Sequence, residues 1–177
     1  LYTGDLGYMS KEGLLYVKGR FKSLLISSDG EKYSPEGIEE ALVEKSPYID
    51  QVMLYNNQSN YTTAVIVPNR DQLIRTLKVQ GLDLSTEDGR KAALTILDGE
   101  INKYKKGGDF EGMFPERWLP TCFAVLSEPF TEQNQMINST MKMVRGKIEK
   151  AYAERIAYMY TAAGKQLHNQ QNIDALK

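Results

Sequence analysis

Only one histidine and one cysteine occur in 177 residues, His168 in a polar tail and Cys122 in an apolar run. A serine–histidine–acid triad or a histidine-rich zinc site therefore has almost nothing to be built from. Chemistry falls to Lys, Arg, Asp and backbone groups, and these gather most densely between Gly19 and Leu42. Gly19, Arg20, Phe21 and Lys22 come first, then the apolar run Leu24, Leu25, Ile26, the loop Ser27, Ser28, Asp29, Gly30, and the helix start Ser34, Pro35, Glu36. A loop of this kind exposes backbone N–H groups at Asp29 to Glu31 with Arg20 beside them, which suits an anionic ligand. Read plainly, Gly30 only permits a hairpin turn and Arg20 is a solvated charge. Upstream, Thr3 and Asp5 in Tyr2-Thr3-Gly4-Asp5 would ordinarily cap a turn. Downstream, a polar loop from Ser127 to Thr140 leads into Lys142, on its own an ordinary charge beside a helix start.

The elements that must hold these residues follow from periodicity. Leu24 to Ile26 is a short buried strand, Lys32 and Tyr33 form its return, and Ile38, Ala41 and Leu42 mark the buried face of a helix begun by Ser34, Pro35 and Glu36. Leu1 to Gly7 reads as a loop, Met9 to Val17 as a small hairpin turning at Lys11 to Gly13, and Lys18 with Gly19 as a linker. Gln51–Tyr55 and Thr62–Val67 form an antiparallel hairpin across a polar connection. Asn69 caps a helix that Gly81 closes, and Ser85 with Asp88 makes an approximate capping box for a helix reaching Lys106. Thr121 to Leu126 is nearly uninterrupted in apolar residues and is read as a central strand. One final helix carries Ile148, Tyr152, Ile156 and Met159, and the tail after Gly164 is either disordered or ordered only by contacts.

With 22 basic and 23 acidic residues and a net charge of −1, there is no overall electrostatic reason to expect nucleic acid. A lone cysteine fits a reducing, cytoplasmic setting, and no apolar run approaches the ~20 residues that span a bilayer. The length suits one core.

Tyr2-Thr3-Gly4-Asp5, followed by Gly19-Arg20-x-Lys22, an apolar run, the Gly30 loop and Pro35-x-x-Ile38-Glu39, resembles the adenylate-forming superfamily, which includes acyl-CoA synthetases, peptide-synthetase adenylation domains and luciferases. Members of that family are several times longer, with a large N-terminal domain holding the phosphate loop and acyl pocket and a small mobile C-terminal domain. By this resemblance the chain is an α+β lid: a short hairpin and a central three-stranded sheet flanked by helices. Residues 1–18 are then a junction from the N-terminal adenylation domain, 19–163 the mobile C-terminal domain and 164–177 the polar tail. Its opening on Leu1 fits an excised fragment that is inactive alone.

The same resemblance implies roles. Lys142, in Ile137-Asn138-Ser139-Thr140-Met141-Lys142, is similar to the lysine of the Leu-Thr-Pro-Thr-x-Lys form of long-chain acyl-CoA synthetases and is the candidate catalytic cation. Lys147, in Arg145-Gly146-Lys147-Ile148, is the competitor, matching the Gly-Lys-Ile ending of shorter-chain enzymes. Asn138 and Ser139 depart from the Thr-Pro of the pattern. Asp5 and Thr3 would hold the nucleotide, the Asp5 carboxylate accepting both ribose hydroxyls, and Arg20 would meet the ribose and phosphate region. Lys22 takes the hinge position, and Ser28, Asp29 and Gly30 would line a pantetheine channel, where a side chain at Gly30 would obstruct. Glu39 is assigned to structure. The reaction implied is that of a long-chain-fatty-acid–CoA ligase, using ATP with magnesium and CoA and releasing AMP. A fatty acid is the substrate, the missing N-terminal domain the partner, and peripheral contact with a membrane is compatible with it. The rivals are a lid of a peptide-synthetase or aryl-acid adenylating enzyme, and a non-catalytic module of the same fold.

Overall fold

The computed structural model describes residues 5–20 and 23–177, with side chains for 7–17 and from 23 onward. In chain order, β1 (Asp5–Met9) and β2 (Leu15–Arg20) make an antiparallel hairpin. Its turn is where the sequence placed it, but the strands extend into the segments read as loop and linker. The short strands β3 (Leu25–Ser27) and β4 (Lys32–Tyr33) flank the Gly30 loop and lead into α1 (Glu36–Lys45). Pro35 already has helical dihedrals, φ −76° and ψ −23°, as suits a proline at the first turn.

The central sheet consists of β5 (Ile49–Tyr55), β7 (Thr62–Pro68) and β8 (Pro120–Val125) in the order β5-β7-β8. The first pair is antiparallel, the second parallel. Between β5 and β7, in the connection read as polar loop, β6 (Asn57–Ser59) pairs in parallel with β3 and completes a second three-stranded sheet, β4-β3-β6. Asn69 caps α2 (Arg70–Val79) by accepting from Gln72 N at 3.0 Å. The cap of α3 (Glu87–Asn102) is Thr86, which accepts from Gly89 N, rather than Ser85. The stretch read as one final helix is two helices, α4 (Arg145–Ala151) and α5 (Ala153–Met159), broken at Tyr152.

Both faces of the central sheet are covered, and this accounts for the one misplaced strand. Leu54, Ala64, Ile66, Phe123 and Val125 pack with Leu42 of α1 and Leu94 and Leu97 of α3. Met53, Val65, Val67, Cys122 and Ala124 pack with Ile148, Ile156 and Met159. An unbroken apolar run reports burial on two faces, which β8 has while sitting at the sheet edge; β7 holds the centre and is buried along its whole length.

The outer edge of β8 meets the polar tail. Residues 170–175 form α6 (Gln170–Ala175), with Ile173 and Leu176 in the core. The fully buried Asn172 accepts from Val125 N at 3.0 Å and donates to Phe123 O at 3.0 Å, so its carboxamide pairs two groups of the strand edge. Arg70 ties down the end of the chain by donating to the carbonyls of Ala175, Leu176 and Lys177. The tail is thus ordered by contacts, the second of the two outcomes its composition allowed.

Candidate functional site

Thr3 and Lys22 lie outside the described residues. Asp5 and Arg20 are described as backbone only, and there they are direct cross-strand partners at the open end of the hairpin. Residues fifteen apart in sequence are thereby placed about 5 Å apart at their Cα atoms, the spacing of an antiparallel pair. The described strand residues of the hairpin present exposed apolar side chains, with Met9, Leu15 and Val17 each 66% accessible.

The loop between β3 and β4 departs from its expected use of amides. Gly30 N donates to Ser27 O at 2.9 Å and Glu31 N to the Asp29 carboxylate at 3.1 Å, while Ser27 N donates to Glu31 O at 3.0 Å. Two of the three amides offered to an anion are therefore spent inside the loop. The Ser27 hydroxyl also bonds the Asp29 carboxylate, and these bonds hold that carboxyl below its usual range. Gly30 has φ +84°, a conformation that favours glycine, and a Cβ there would meet nothing within 4 Å. The tip, Ser28 to Gly30, is exposed.

The loop carrying Lys142 is a closed turn. Ile137 and Met143 bridge in antiparallel fashion, Asn138 N donates to Lys142 O at 2.9 Å, and Met141, at φ +60°, donates its N–H to Asn138 O. Asn138 is its organiser: one side-chain oxygen accepts from Thr140 N at 3.0 Å, from the Thr140 hydroxyl at 2.8 Å and from Lys142 N at 2.9 Å. Asn138, one of the two residues that depart from Thr-Pro, thus closes the turn through its own side chain. Lys142 is exposed, and among the described residues nothing pairs with its ammonium. Lys147 instead donates to the Gln135 side chain at 3.0 Å.

Behind this turn stands a buried ion pair. Arg145 donates through Nη1 to both oxygens of Glu39, at 2.8 and 2.9 Å, and through Nη2 to Leu54 O. Glu39 also accepts from Leu54 N at 2.6 Å. Burial pushes the Glu39 carboxyl up and the Arg145 charge opposes it. α1, β5 and the first residue of α4 are joined at one point, and Arg145 follows Lys142 by three residues. A cavity of about 170 Å³ lies between Ser23 to Ile26, Tyr55 to Asn57, Arg145 and Glu149, so Ser23, next to the hinge position, and α4 line the same cavity.

Sequence reasoning singled out neither Arg145 nor the contacts of Glu31. The Glu31 carboxylate accepts from Arg117 Nε and Nη2, both at 2.6 Å, and from Trp118 Nε1 at 3.1 Å. No local pattern signals pairing across such separations. Among the described residues no cluster of His, Cys, Asp and Glu could hold a metal ion, and no helix is long and apolar enough to cross a membrane.

This architecture is that of part of an adenylation domain. Over 89% of its length the chain matches the adenylation domain of a carboxylate reductase from Mycobacterium chelonae with a TM-score of 0.71, at 24% identity and covering 22% of that chain. It matches the A domain of a carboxylic acid reductase from Segniliparus rugosus, solved with AMP and a co-purified carboxylic acid, with a TM-score of 0.66, at 23% identity over 89% of this chain and 23% of that one. In sequence it is 28% identical over 165 residues to long chain acyl-CoA synthetase 8 of Arabidopsis thaliana, covering 90% of this chain and 22% of that protein. It is 27% identical over 166 residues to fatty acyl-CoA synthetase B of Dictyostelium discoideum, covering 90% and 24%. No protein-family model matches the chain. The proteins it matches are acyl-CoA synthetases and adenylation domains, in line with the resemblance, and the chain spans about a quarter or less of the length of those it matches.

Proposed function

We propose that this chain is the carboxy-terminal lid of an AMP-forming long-chain-fatty-acid–CoA ligase. The observation that carries the reading is the ammonium of Lys142, unpaired among the described residues, on a closed turn at the motif position, in a chain similar to fatty acyl-CoA synthetases. In the first half-reaction the fatty acid carboxylate attacks the α-phosphate of ATP, forming acyl-AMP and releasing pyrophosphate. Negative charge gathers on the phosphoryl oxygens, and a positioned cation lowers that barrier. Lys142 supplies it; Lys147, held by Gln135, does not.

Asp5 and Thr3 bind the nucleotide, Asp5 accepting from the ribose hydroxyls, and Arg20 meets the ribose and phosphates from the neighbouring strand. The cross-strand register of Asp5 and Arg20 supports this division, since one nucleotide can reach both. Magnesium enters with ATP, and CoA enters as the second substrate. After adenylation the lid turns about Lys22 and presents Ser28, Asp29 and Gly30 to the pantetheine arm, whose thiol attacks the acyl carbonyl and expels AMP. The acyl pocket and the phosphate loop belong to the amino-terminal adenylation domain, which is the partner this lid requires.

The test uses the chain joined to that domain, with the two half-reactions followed separately. Lys142→Ala is expected to abolish pyrophosphate release while still converting supplied acyl-adenylate and CoA to acyl-CoA. The same pattern in Lys147→Ala instead would move the role to that lysine. An unmodified protein that forms no adenylate from any fatty acid would leave the fold without the activity.

A further inference from the structure

The Gly30 loop has a shape of its own and a separate attachment to the body of the domain. Inside the loop, Ser27, Asp29, Gly30 and Glu31 satisfy one another through three backbone donors and one hydroxyl. Outward, the Glu31 carboxylate takes both Nε and Nη2 of Arg117 at 2.6 Å and Trp118 Nε1 at 3.1 Å, so three donors from one 3-10 turn, Glu116–Trp118, fix one side chain. The Trp118 indole lies flat on the Tyr33 ring, 5.1 Å between centroids and 6° between planes. Tyr33 reaches the central strand through a hydrogen bond between its hydroxyl and Thr62 and accepts from Asn56 Nδ2 at 3.3 Å. The exposed tip is thus linked through Glu31, Trp118 and Tyr33 to β7.

Stability alone does not account for this arrangement. The Arg117 side chain is 63% accessible and that of Glu31 28%, and ion pairs this exposed contribute little to folding. Their geometry, bidentate and joined by an indole N–H, instead restricts direction. Resting on the proposed entry of this loop into the thiol channel, we infer that Arg117 and Trp118 are positioning residues for thioester formation: they hold the Gly30 loop as a rigid arm of the lid, so that its backbone arrives in register with the pantetheine arm. Adenylation, which the Lys142 turn serves, does not draw on them.

The experiment again uses the chain joined to its adenylation domain. Arg117→Ala, Glu31→Ala, the double variant and Gly30→Leu are compared in adenylate formation and in conversion of supplied acyl-adenylate with CoA. The expected result is adenylate formation within about twofold of the unmodified protein, with thioester formation about tenfold or more slower in each single variant, as small misplacements of reacting groups produce. The double variant should be no slower than the slower single one, because both remove the same constraint. Retained adenylation in the same samples reports a folded lid. Thioester formation unchanged in Arg117→Ala but lost in Gly30→Leu would overturn the clamp and leave the channel reading intact. If Gly30→Leu also leaves thioester formation unchanged, the channel reading falls and the clamp with it. Equal losses in both half-reactions, or additive losses in the double variant, would overturn the positioning role.

Discussion

Glu39 and Arg145, 106 residues apart, share two hydrogen bonds of 2.8 and 2.9 Å with side chains only 5% and 15% accessible. The same groups grip both the N–H and the C=O of Leu54. A carboxylate on the first helix, a backbone position on an edge strand and the residue that opens α4 are thereby made one unit. The turn bearing Lys142 leads into that unit, so α1 and the sheet anchor the backbone just after the turn.

Removing one member of this pair leaves a charge buried without its partner. Arg145→Ala is expected to lower the unfolding free energy by about 3–5 kcal/mol, read from urea titration. Replacing both residues by apolar ones, Glu39→Leu with Arg145→Met, should recover a large part of that loss. A single-variant loss below ~1 kcal/mol would show that the pair is dispensable to the fold.

Asn138 acts on a shorter scale. Its three accepted bonds all lie at the surface, so Asn138→Ala should change stability by no more than ~1 kcal/mol. On the proposed role of Lys142, and in the chain joined to an adenylation domain, it should nevertheless slow adenylate formation on the order of tenfold, because Lys142 N loses its anchor. Conversion of supplied acyl-adenylate should be unchanged, and an equal fall in both half-reactions would count against a local effect on Lys142.

The carboxamide of Asn172 meets Val125 N, Phe123 O and Arg155 Nη2 from a fully buried position. Asn172→Leu is close in volume but leaves the strand edge unpaired, and a loss of roughly 1–3 kcal/mol is expected for each group left unsatisfied. Cutting the chain after Gly164 removes Ile173 and Leu176 from the core as well, and the truncated chain should show no cooperative unfolding transition. A normal transition in that truncation would place the tail outside the folding unit.

Burial pushes the Cys122 thiol up to about 11 from an ordinary value of 9.0, and the residue is 8% accessible. The folded chain should therefore resist a thiol reagent at pH 8 and react at once in denaturant. The sign of the linkage follows. The unfolded thiol loses its proton first, so the stabilising contribution is intact below pH ~9 and is lost as pH rises through about 11. Unfolding free energy should be lower at pH 10 than at pH 8, and the difference should be smaller in Cys122→Ala, the remainder belonging to tyrosines such as Tyr152 and Tyr160, whose hydroxyls burial also pushes up.

Much of the fold was legible because its signals are local. Asn69 before an apolar period, glycine after it, and two β-rich runs around a polar connection state their own structure, and α2 with the β5–β7 pair formed as read. The motif around Gly30 and the turn before Lys142 were visible for the same reason, since spacing along the chain carries them. Periodicity tells which faces are buried and is silent about what covers them. β8, apolar on both faces, looked central and is an edge; the glutamine-rich tail, which its composition leaves either disordered or ordered by contacts, supplies Asn172 to that edge. The pairings of Glu39 with Arg145 and of Glu31 with Arg117 join residues 106 and 86 positions apart, and although Glu39 is assigned to structure, nothing in the neighbouring residues names either partner. The sequence by itself determined most of the elements, though not β6 or α6, and the chemistry available on them. Only the tertiary structure decided which charges are buried against each other and which are left free, because an ion pair's partner is chosen by packing in three dimensions and not by distance along the chain.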